Sequence, residues 1–482
     1  MILQELLKNL SVKELEGRTD VEITDLTFDS RQVHAGTLFV AQPGTVVDGH
    51  DYIDKAIEQG AVAVVCERKD TIHRDGATII VVNDSSEALG LLASAWNGYP
   101  SRHLTLVGVT GTNGKTTIAT LLYKMTRAMG HKAGLLSTVV NYVNDEAIEA
   151  THTTPDALEL NGLLHKMVDA GCEYAFMEVS SHAIAQHRTA GLDFDGALFT
   201  NLTRDHIDYH KTFENYRDTK KQLFDNLKKE AFAVTNKDDK NGLVMTQNCR
   251  ARVATYSTRS LADYKAQILE EGFDGMLLQV NGQEVFVNLV GRFNVSNLLC
   301  IYGAAVCLGF EPQEVLRVLS TLSAVKGRFE AIHSPKGWTA IVDYAHTPDA
   351  VENVLRTINE IRKEGSQVIT VVGCGGNRDK GKRPMMASIA KKNSTRLILT
   401  SDNPRDEEPA DILNDMVAGL TEEEKRDTLV IEDRETAIKT ACMLAGNNDV
   451  ILIAGKGHED YQIIKGVKHH FDDHEIVRAN LG

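Results

Sequence analysis

The stretch "GVTGTNGKTT", residues 108–117, constrains this chain more than any other. It follows an apolar run, "HLTLVGVT", that reads as a buried strand. It opens a segment whose Ile118, Leu121, Leu122 and Met125 keep the i, i+3, i+4, i+7 spacing of a helix with one apolar face. Glycines at such a turn let backbone N–H groups close round phosphate oxygens, and the helix start adds positive potential. Lys115 then reaches the terminal phosphates and Thr116 offers a hydroxyl to magnesium. A chain with strand, loop, Lys-Thr and helix in this order is committed to a parallel α/β sheet with a nucleotide at its carboxyl edge.

The same alternation continues. From about residue 100, apolar runs such as "YAFMEVSSH", "GALFTNLTRDH", "TAIVDYAH", "QVITVVGCGG", "RLILTSDNPR" and "VILIAGKGHE" are separated by amphipathic stretches, the pattern of βαβ units. The first 95 or so residues have shorter strands and one clear βα unit, "YIDKAIEQGAVAVVCE", as in a small α/β domain of its own. Turn residues near 97–103 and 326–338 divide the chain into three expected domains, 1–99, 100–328 and 329–482. Residues 236–290 read as β-hairpin material inside the second. Pro155, Pro312, Pro348, Pro384 and Pro409 each stand at a helix start, where a missing N–H matters least.

Charge narrows the partners. A formal net charge of -15 argues against capture of nucleic acid or an anionic membrane, so anionic ligands need local pockets. No apolar run approaches a membrane span, and the start "MILQELLKNLSVKELEG" mixes acids and lysines through its apolar residues, unlike a signal peptide. The expectation is a folded cytoplasmic protein acting on small molecules, a monomer. Its seven cysteines are scattered without a C-x-x-C pair, as small buried residues in a reducing compartment.

Polar residues gather where strands end. Glu178 closes "YAFME"; alone it reads as an exposed cap, but beside a phosphate loop it can reach nucleotide-bound magnesium. Asp205, His206, Asp208 and His210 follow the next strand, and His206 and His210 at i, i+4 lack a third soft ligand for zinc. Lys220 and Lys221 read, from sequence alone, as solvated helix lysines. "VVGCGGNRDKG" is Gly-rich after a strand, but a dinucleotide fingerprint from Gly373 needs glycine where Arg378 stands. "RLILTSDNPR" ends in Asp402, Asn403, Pro404 and Arg405. Asn403 and Pro404 are expected to form a tight turn that holds Arg405 at the cleft.

The loop has the pattern G-x-x-G-x-x-G-K-T, with Val109 where a strict P-loop has glycine, and with Thr112 and Asn113 it resembles that of the Mur ligases and the related folylpolyglutamate synthases. The resemblance to the Mur ligases, MurE type, runs over essentially the whole chain. It implies three α/β domains: a UDP-MurNAc-binding N-terminal domain, a central ATP-binding P-loop domain and a Rossmann-like C-terminal domain for the incoming amino acid. It implies ATP contacts at Gly111, Thr112, Asn113, Gly114, Lys115, Thr116, Thr117, Asn297 of "GRFNVSN", Arg328 of "GRFE" and Asp343 with His346 of "VDYAH". "FDSR" and "PGTVVDGHDY" imply a UDP site with Ser30, Thr45, Val46 and Val47. "HTTPD" and "EVSSHAIAQHR" imply muramoyl-dipeptide contacts at His152, Thr153, Thr154, Ser180, Gln186 and Arg188.

The resemblance also implies two Mg²⁺ ions held by Thr116, Glu178, His206 and Lys220, the last as a CO2-derived carbamate. In the family, "DNPR" is the signature for meso-2,6-diaminopimelate, and Arg378, Asp402, Asn403, Pro404, Arg405, Gly455 and Glu459 are its implied contacts. A guanidinium suits the extra carboxylate that distinguishes diaminopimelate from lysine. The expected activity is ATP-dependent amide formation on the D-Glu γ-carboxylate of UDP-MurNAc-L-Ala-D-Glu, through an acyl phosphate. A lysine-adding ligase, a folylpolyglutamate synthase-like ligase and a non-catalytic P-loop switch are the alternatives.

Overall fold

The computed structural model describes residues 1–44 and 47–481. Three sheets follow one another along the chain. In the first, Asp25–Thr27, Thr37–Val40, Ala63–Cys66 and Thr78–Val82 are parallel, with Val12–Glu16 antiparallel along Thr78–Val82. The residues of the three central parallel strands are buried, as expected of strands covered on both faces.

The second sheet has eleven strands. Thr105–Thr110 lies inside it, paired in parallel with Tyr174–Glu178 on one side and Gly196–Phe199 on the other. Parallel pairing continues through Phe232–Asn236 and Arg252–Ser257 to Tyr264–Gly272. There the chain turns into an antiparallel meander, Tyr264–Gly272, Gly275–Val280 and Gln283–Val287, which is the hairpin material expected from the sequence. The helix Lys115–Ala128 packs on this sheet through Ile118, Leu121, Leu122 and Met125, each with no exposed surface. Each such side chain contributes about 1.5–3 kcal/mol by leaving water. That burial fixes the helix start, and the loop before it, against the strand ends.

The third sheet is parallel across Thr339–Asp343, Val450–Ala454, Val368–Cys374, Arg396–Ser401 and Thr428–Val430, with Glu330–His333 antiparallel at one edge. Its register sets Asp343 beside Ala454 and Cys374 beside Ser401. The loops at Asp343, 375–381, 402–405 and 455–459 therefore open at one edge, where open α/β sheets bind ligands. A short hairpin, Tyr461–Ile464 with Val467–His470, covers that edge. Pro312, Pro348 and Pro409 are first residues of helices. Among the described residues no helix is long and apolar enough to cross a membrane.

Candidate active site

The phosphate loop is shaped by what lies beneath it. Gly111 has φ 148°, and a Cβ there would sit 1.9 Å from Thr200 Oγ1, so only glycine fits. The Thr112 N–H donates to Asn201 O at 2.9 Å and the Asn113 N–H to Asn201 Oδ1 at 2.9 Å, which tethers the loop to the neighbouring strand end. Lys115 Nζ folds back onto Gly111 O and Thr112 O, at 3.0 and 2.8 Å. Burial lowers its pKa, against the pull of Glu178 and Asp205. It pairs with no carboxylate among the described residues, so its charge faces the loop.

Residues far away in sequence close the cleft. Arg328 donates from Nη2 to Thr116 Oγ1 at 3.0 Å and lies over the Tyr344 ring, 4.7 Å from its centroid. Asn113 Nδ2 donates to Asp349 Oδ2 at 3.0 Å across 236 positions. Asn297 lines the cleft beside Gly114 and Thr117. Asp343 accepts from the Phe329 N–H at 2.7 Å, and burial pushes its carboxyl up to about 6 although Arg328 opposes this. Together with His346 these side chains line a cleft of about 1100 Å³.

Behind the loop stands Lys220. The sequence alone suggests a solvated lysine, but it is 1% exposed, because its helix Phe213–Asp225 lays that face on the sheet. Its Nζ reaches Gly111 O at 2.9 Å and Thr110 Oγ1 at 3.4 Å, and no carboxylate among the described residues pairs with it. Burial, with Lys115 adding to it, pushes its pKa far below that of a free lysine. Lys221 is also buried, and pairs with Asp225 at 2.5 Å.

Glu178 is buried at its strand end, accepting from Thr138 N at 2.8 Å and Thr138 Oγ1 at 3.0 Å. His206 has φ 53°, and its ring meets that of His182 edge to face with centroids 4.7 Å apart. Burial depresses its pKa to about 4, against the attraction of Asp205, which leaves a neutral imidazole. His210 is not half of a zinc pair: its Nε2 is 2.9 Å from Ser181 Oγ. No three described His, Cys, Asp or Glu side chains converge as a metal cage.

The predicted dipeptide residues form one network. Thr154 Oγ1 donates to Glu178 O at 2.8 Å and accepts from the Ser180 N–H at 3.1 Å, while Arg188 donates to Thr154 O at 2.7 Å and clasps Gln186 Oε1. Thr153 Oγ1 lies 3.1 Å from Thr138 Oγ1, to which it can donate while Thr138 donates to Glu178. Ser30, Val47, His152, Gln186 and Arg188 line a second cleft of about 1040 Å³, bounded by the first domain's loops. Thr45 and Val46 lie outside the described residues. Thr138 and Tyr209, whose hydroxyl accepts from Gln186 at 3.3 Å, are additions that sequence reasoning misses. "LLST" after a strand is the available signal for Thr138.

The third group sits on the C-terminal edge. The tight turn falls one residue later than expected: Pro404 opens it, its O accepting from the Glu407 N–H at 3.1 Å, and Arg405 bridges the hairpin, its N–H donating to Ile463 O at 3.0 Å. The reversal comes instead at Arg405 itself, with φ 55°. Its Nη1 donates to Gly376 O at 2.8 Å. Arg378 lies close enough that Arg405, after burial, lowers its pKa. Neither guanidinium pairs with a carboxylate among the described residues. The acids that could have taken Arg405 are engaged elsewhere: Glu407 with Arg383 and Lys380, Glu408 with Lys465, Asp406 with Asn377. Asp402, Asn403 and Glu459 meet across the pocket, Asn403 Nδ2 donating to Glu459 Oε2 at 2.7 Å. Gly455, φ 119°, passes so near Asp402 that a Cβ would lie 2.6 Å from Oδ2.

Comparison with known proteins agrees with this layout. Family models match in three segments: the Mur ligase family catalytic domain over 22–97, the Mur ligase middle domain over 109–305, and the Mur ligase glutamate ligase domain over 327–457. A curated relative from Parabacteroides distasonis, UDP-N-acetylmuramoyl-L-alanyl-D-glutamate--2,6-diaminopimelate ligase, is 63% identical over 478 residues, covering 99% of this chain and 98% of its own. A solved structure of a ligase with that same name aligns at 33% identity with a TM-score of 0.70, covering 100% of this chain and 98% of its own. The folylpolyglutamate synthase of Mycobacterium tuberculosis shares the fold, at 15% identity, a TM-score of 0.63, and 77% of this chain and 93% of its own. The chain belongs to the Mur ligase family.

Proposed function

We propose that this chain is the ATP-dependent ligase that joins meso-2,6-diaminopimelate to the D-Glu γ-carboxylate of UDP-N-acetylmuramoyl-L-alanyl-D-glutamate, giving the UDP-tripeptide, ADP and phosphate for peptidoglycan. The observation that carries the substrate assignment is the pair Arg378 and Arg405. Two guanidiniums without acid partners among the described residues stand at one pocket, opposite Asp402 and Glu459. A ligand with a carboxylate and an ammonium at its distal end satisfies both sides. Lysine offers only the ammonium. The second cleft, walled by Ser30 and Arg188, suits a nucleotide-linked sugar peptide, which a folate ligase does not need.

An amide cannot form from a carboxylate while oxide is the leaving group. The γ-carboxylate oxygen attacks the γ-phosphorus of ATP and ADP departs; the diaminopimelate amine then adds to the acyl phosphate, and phosphate leaves as the amide closes. Two anions must meet in the first step. Lys115 and the loop N–H groups hold the phosphates against the Thr105–Thr110 strand end, and the Thr154–Arg188 network holds the peptide carboxylate's neighbourhood. Arg328 ties the C-terminal sheet to Thr116, so amine and acyl group are brought together from two sheets.

Magnesium and a carbamate on Lys220 belong to this reading. The donors fit: Thr116 and Glu178 supply oxygens, His206 is neutral, and Lys220 is a buried amine with no acid paired to it among the described residues, its pKa lowered by burial in the direction that carbamylation by CO2 needs. Mg²⁺, when bound, neutralises charge on the phosphates. We divide the chain as 1–99 for the UDP end, 100–328 for ATP and 329–482 for the amino acid, with the reaction in the cytoplasm.

The test is phosphate release from ATP with UDP-MurNAc-L-Ala-D-Glu, offering meso-diaminopimelate, L-lysine and L-glutamate in parallel. Release should depend on diaminopimelate. Equal turnover with lysine would sink the assignment.

A further inference from the structure

A fully buried lysine stands directly behind the amino-acid pocket. Lys456 has no exposed surface. Its Nζ lies 3.1 Å from Asn403 Oδ1, 3.4 Å from Glu459 Oε2 and 3.7 Å from Asp402 Oδ1, with the Tyr461 ring 5.7 Å away. Three N–H groups thus face three acceptors, and none is left for a ligand. The Asn403 amide is fixed by the same contacts: Oδ1 accepts from Lys456 and from the Ile463 N–H at 2.9 Å, and Nδ2 donates to Glu459.

The other nearby buried cation has its own counterion. Arg434 is 1% exposed and clasps Asp473 through Nε and Nη2 at 2.9 and 2.7 Å, while Nη2 also reaches Ala454 O at 3.1 Å. Asp473 neutralises it. Arg405 and Arg378 donate to the Gly376 and Asn377 carbonyls and pair with no carboxylate among the described residues. Lys456 is therefore the one cation among the described residues that contacts both Asp402 and Glu459.

We propose that Lys456 is a positioning residue of the amino-acid pocket: its ammonium keeps Asp402 and Glu459 side by side as two anions and locks the Asn403 amide, so that the pocket can draw in an ammonium group. The claim rests on the reading of this site as the diaminopimelate pocket. Two carboxylates in one dry pocket repel, and without a cation between them one keeps its proton. Burial and then Asp402 raise the pKa of Glu459, and Lys456 is the leading opponent of that rise. Asp402 is held below its ordinary value against its own burial, by Lys456 first and then Arg434 and Arg405. Besides these, Tyr344, Tyr461 and Arg378 face Glu459 from the neighbouring loops.

Wild-type enzyme is first assayed for diaminopimelate-dependent phosphate release; no release removes the functional reading itself, and with it the pocket that Lys456 would serve. Lys456→Met is then compared with wild type from pH 6 to 8.5. The proposal predicts a KM for diaminopimelate raised about tenfold near neutrality, about 1.4 kcal/mol, with the KM for ATP within about twofold. The penalty should shrink as pH rises, because the retained proton is then lost. Lys456→Arg should keep the wild-type pH profile. A pH-independent penalty, or an equal rise in the ATP KM, overturns the proposal in favour of a merely structural lysine. Should Lys456→Met not fold, carbon NMR of the labelled wild-type carboxylates decides: Asp402 and Glu459 both ionised at pH 7 supports the proposal, and either one protonated overturns it.

Discussion

Two lysines, each removed from water, one at the phosphate loop and one among the acids of the C-terminal edge, show what burial alone does not tell. Lys220 has a carbonyl, a hydroxyl and the face of the Tyr216 ring within reach but pairs with no carboxylate among the described residues, and its pKa falls far below the ordinary value. Lys456 has two carboxylates and an amide oxygen. The first meets no acid among the described residues and its ammonium is disfavoured by burial, which suits carbamylation or metal chemistry. The second is a strut. Partners, not depth, assign the role, because burial disfavours the charged amine where no acid meets it, whereas ion pairing offsets that cost where carboxylates do.

The largest effect should come from the Lys220 side. Lys220→Arg keeps a cation but not a nucleophilic amine, and kcat should fall by about 10³-fold if a carbamate oxygen holds the reacting phosphates' metal. Steady-state phosphate release reads this, and wild-type activity should drop in CO2-free buffer and return with bicarbonate. Full activity in Lys220→Arg would break the contrast. On the Lys456 side, Arg405→Ala should raise the KM for diaminopimelate by about 100-fold, the scale of removing one partner of a desolvated charge pair, and leave the KM for ATP within about twofold. Equal losses for both ligands would take away its specificity role.

The smallest effect concerns the neutral imidazoles near Lys456. Burial depresses His346 to about 4 and His458 to about 3, below an unfolded histidine near 6.5. The unfolded chain binds more protons between those values, so both residues cost stability as pH falls from about 6.5 toward 4. Asp343, raised to about 6, runs the other way, since its penalty above pH 6 is relieved on acidification. His206 and His210, also near 4, act with these two, so four groups against one predict a melting temperature lower at pH 5 than at pH 7.5. His458→Gln should reduce the drop, and a steeper drop in that variant would contradict the account.

What the sequence revealed was local. The phosphate loop, the strand-end Glu178 and the "DNPR" arginine were legible because each is a short run of residues whose chemistry and secondary structure coincide. The second and third sheets were legible from alternation, and the first from its shorter strands and one βα unit. What stayed hidden depends on tertiary contact. Lys456 meets Asn403 across 53 positions, and the Asn403 amide meets the Ile463 N–H across 60. The same hairpin contact moved the expected turn from Asn403 and Pro404 to the residues after Pro404, since Arg405 pairs with Ile463 and Lys465. Lys220 looked solvated because helix periodicity does not say which neighbouring element covers a given face.

The left-handed backbone at Arg405, φ 55°, limits how this pocket can be redesigned. Glycine, asparagine and aspartate adopt that conformation at little cost, whereas valine, isoleucine and threonine do not. A variant library meant to move the enzyme toward amino acids lacking a distal carboxylate therefore has a short alphabet at position 405. β-branched choices would disturb the hairpin pairing before they touched selectivity.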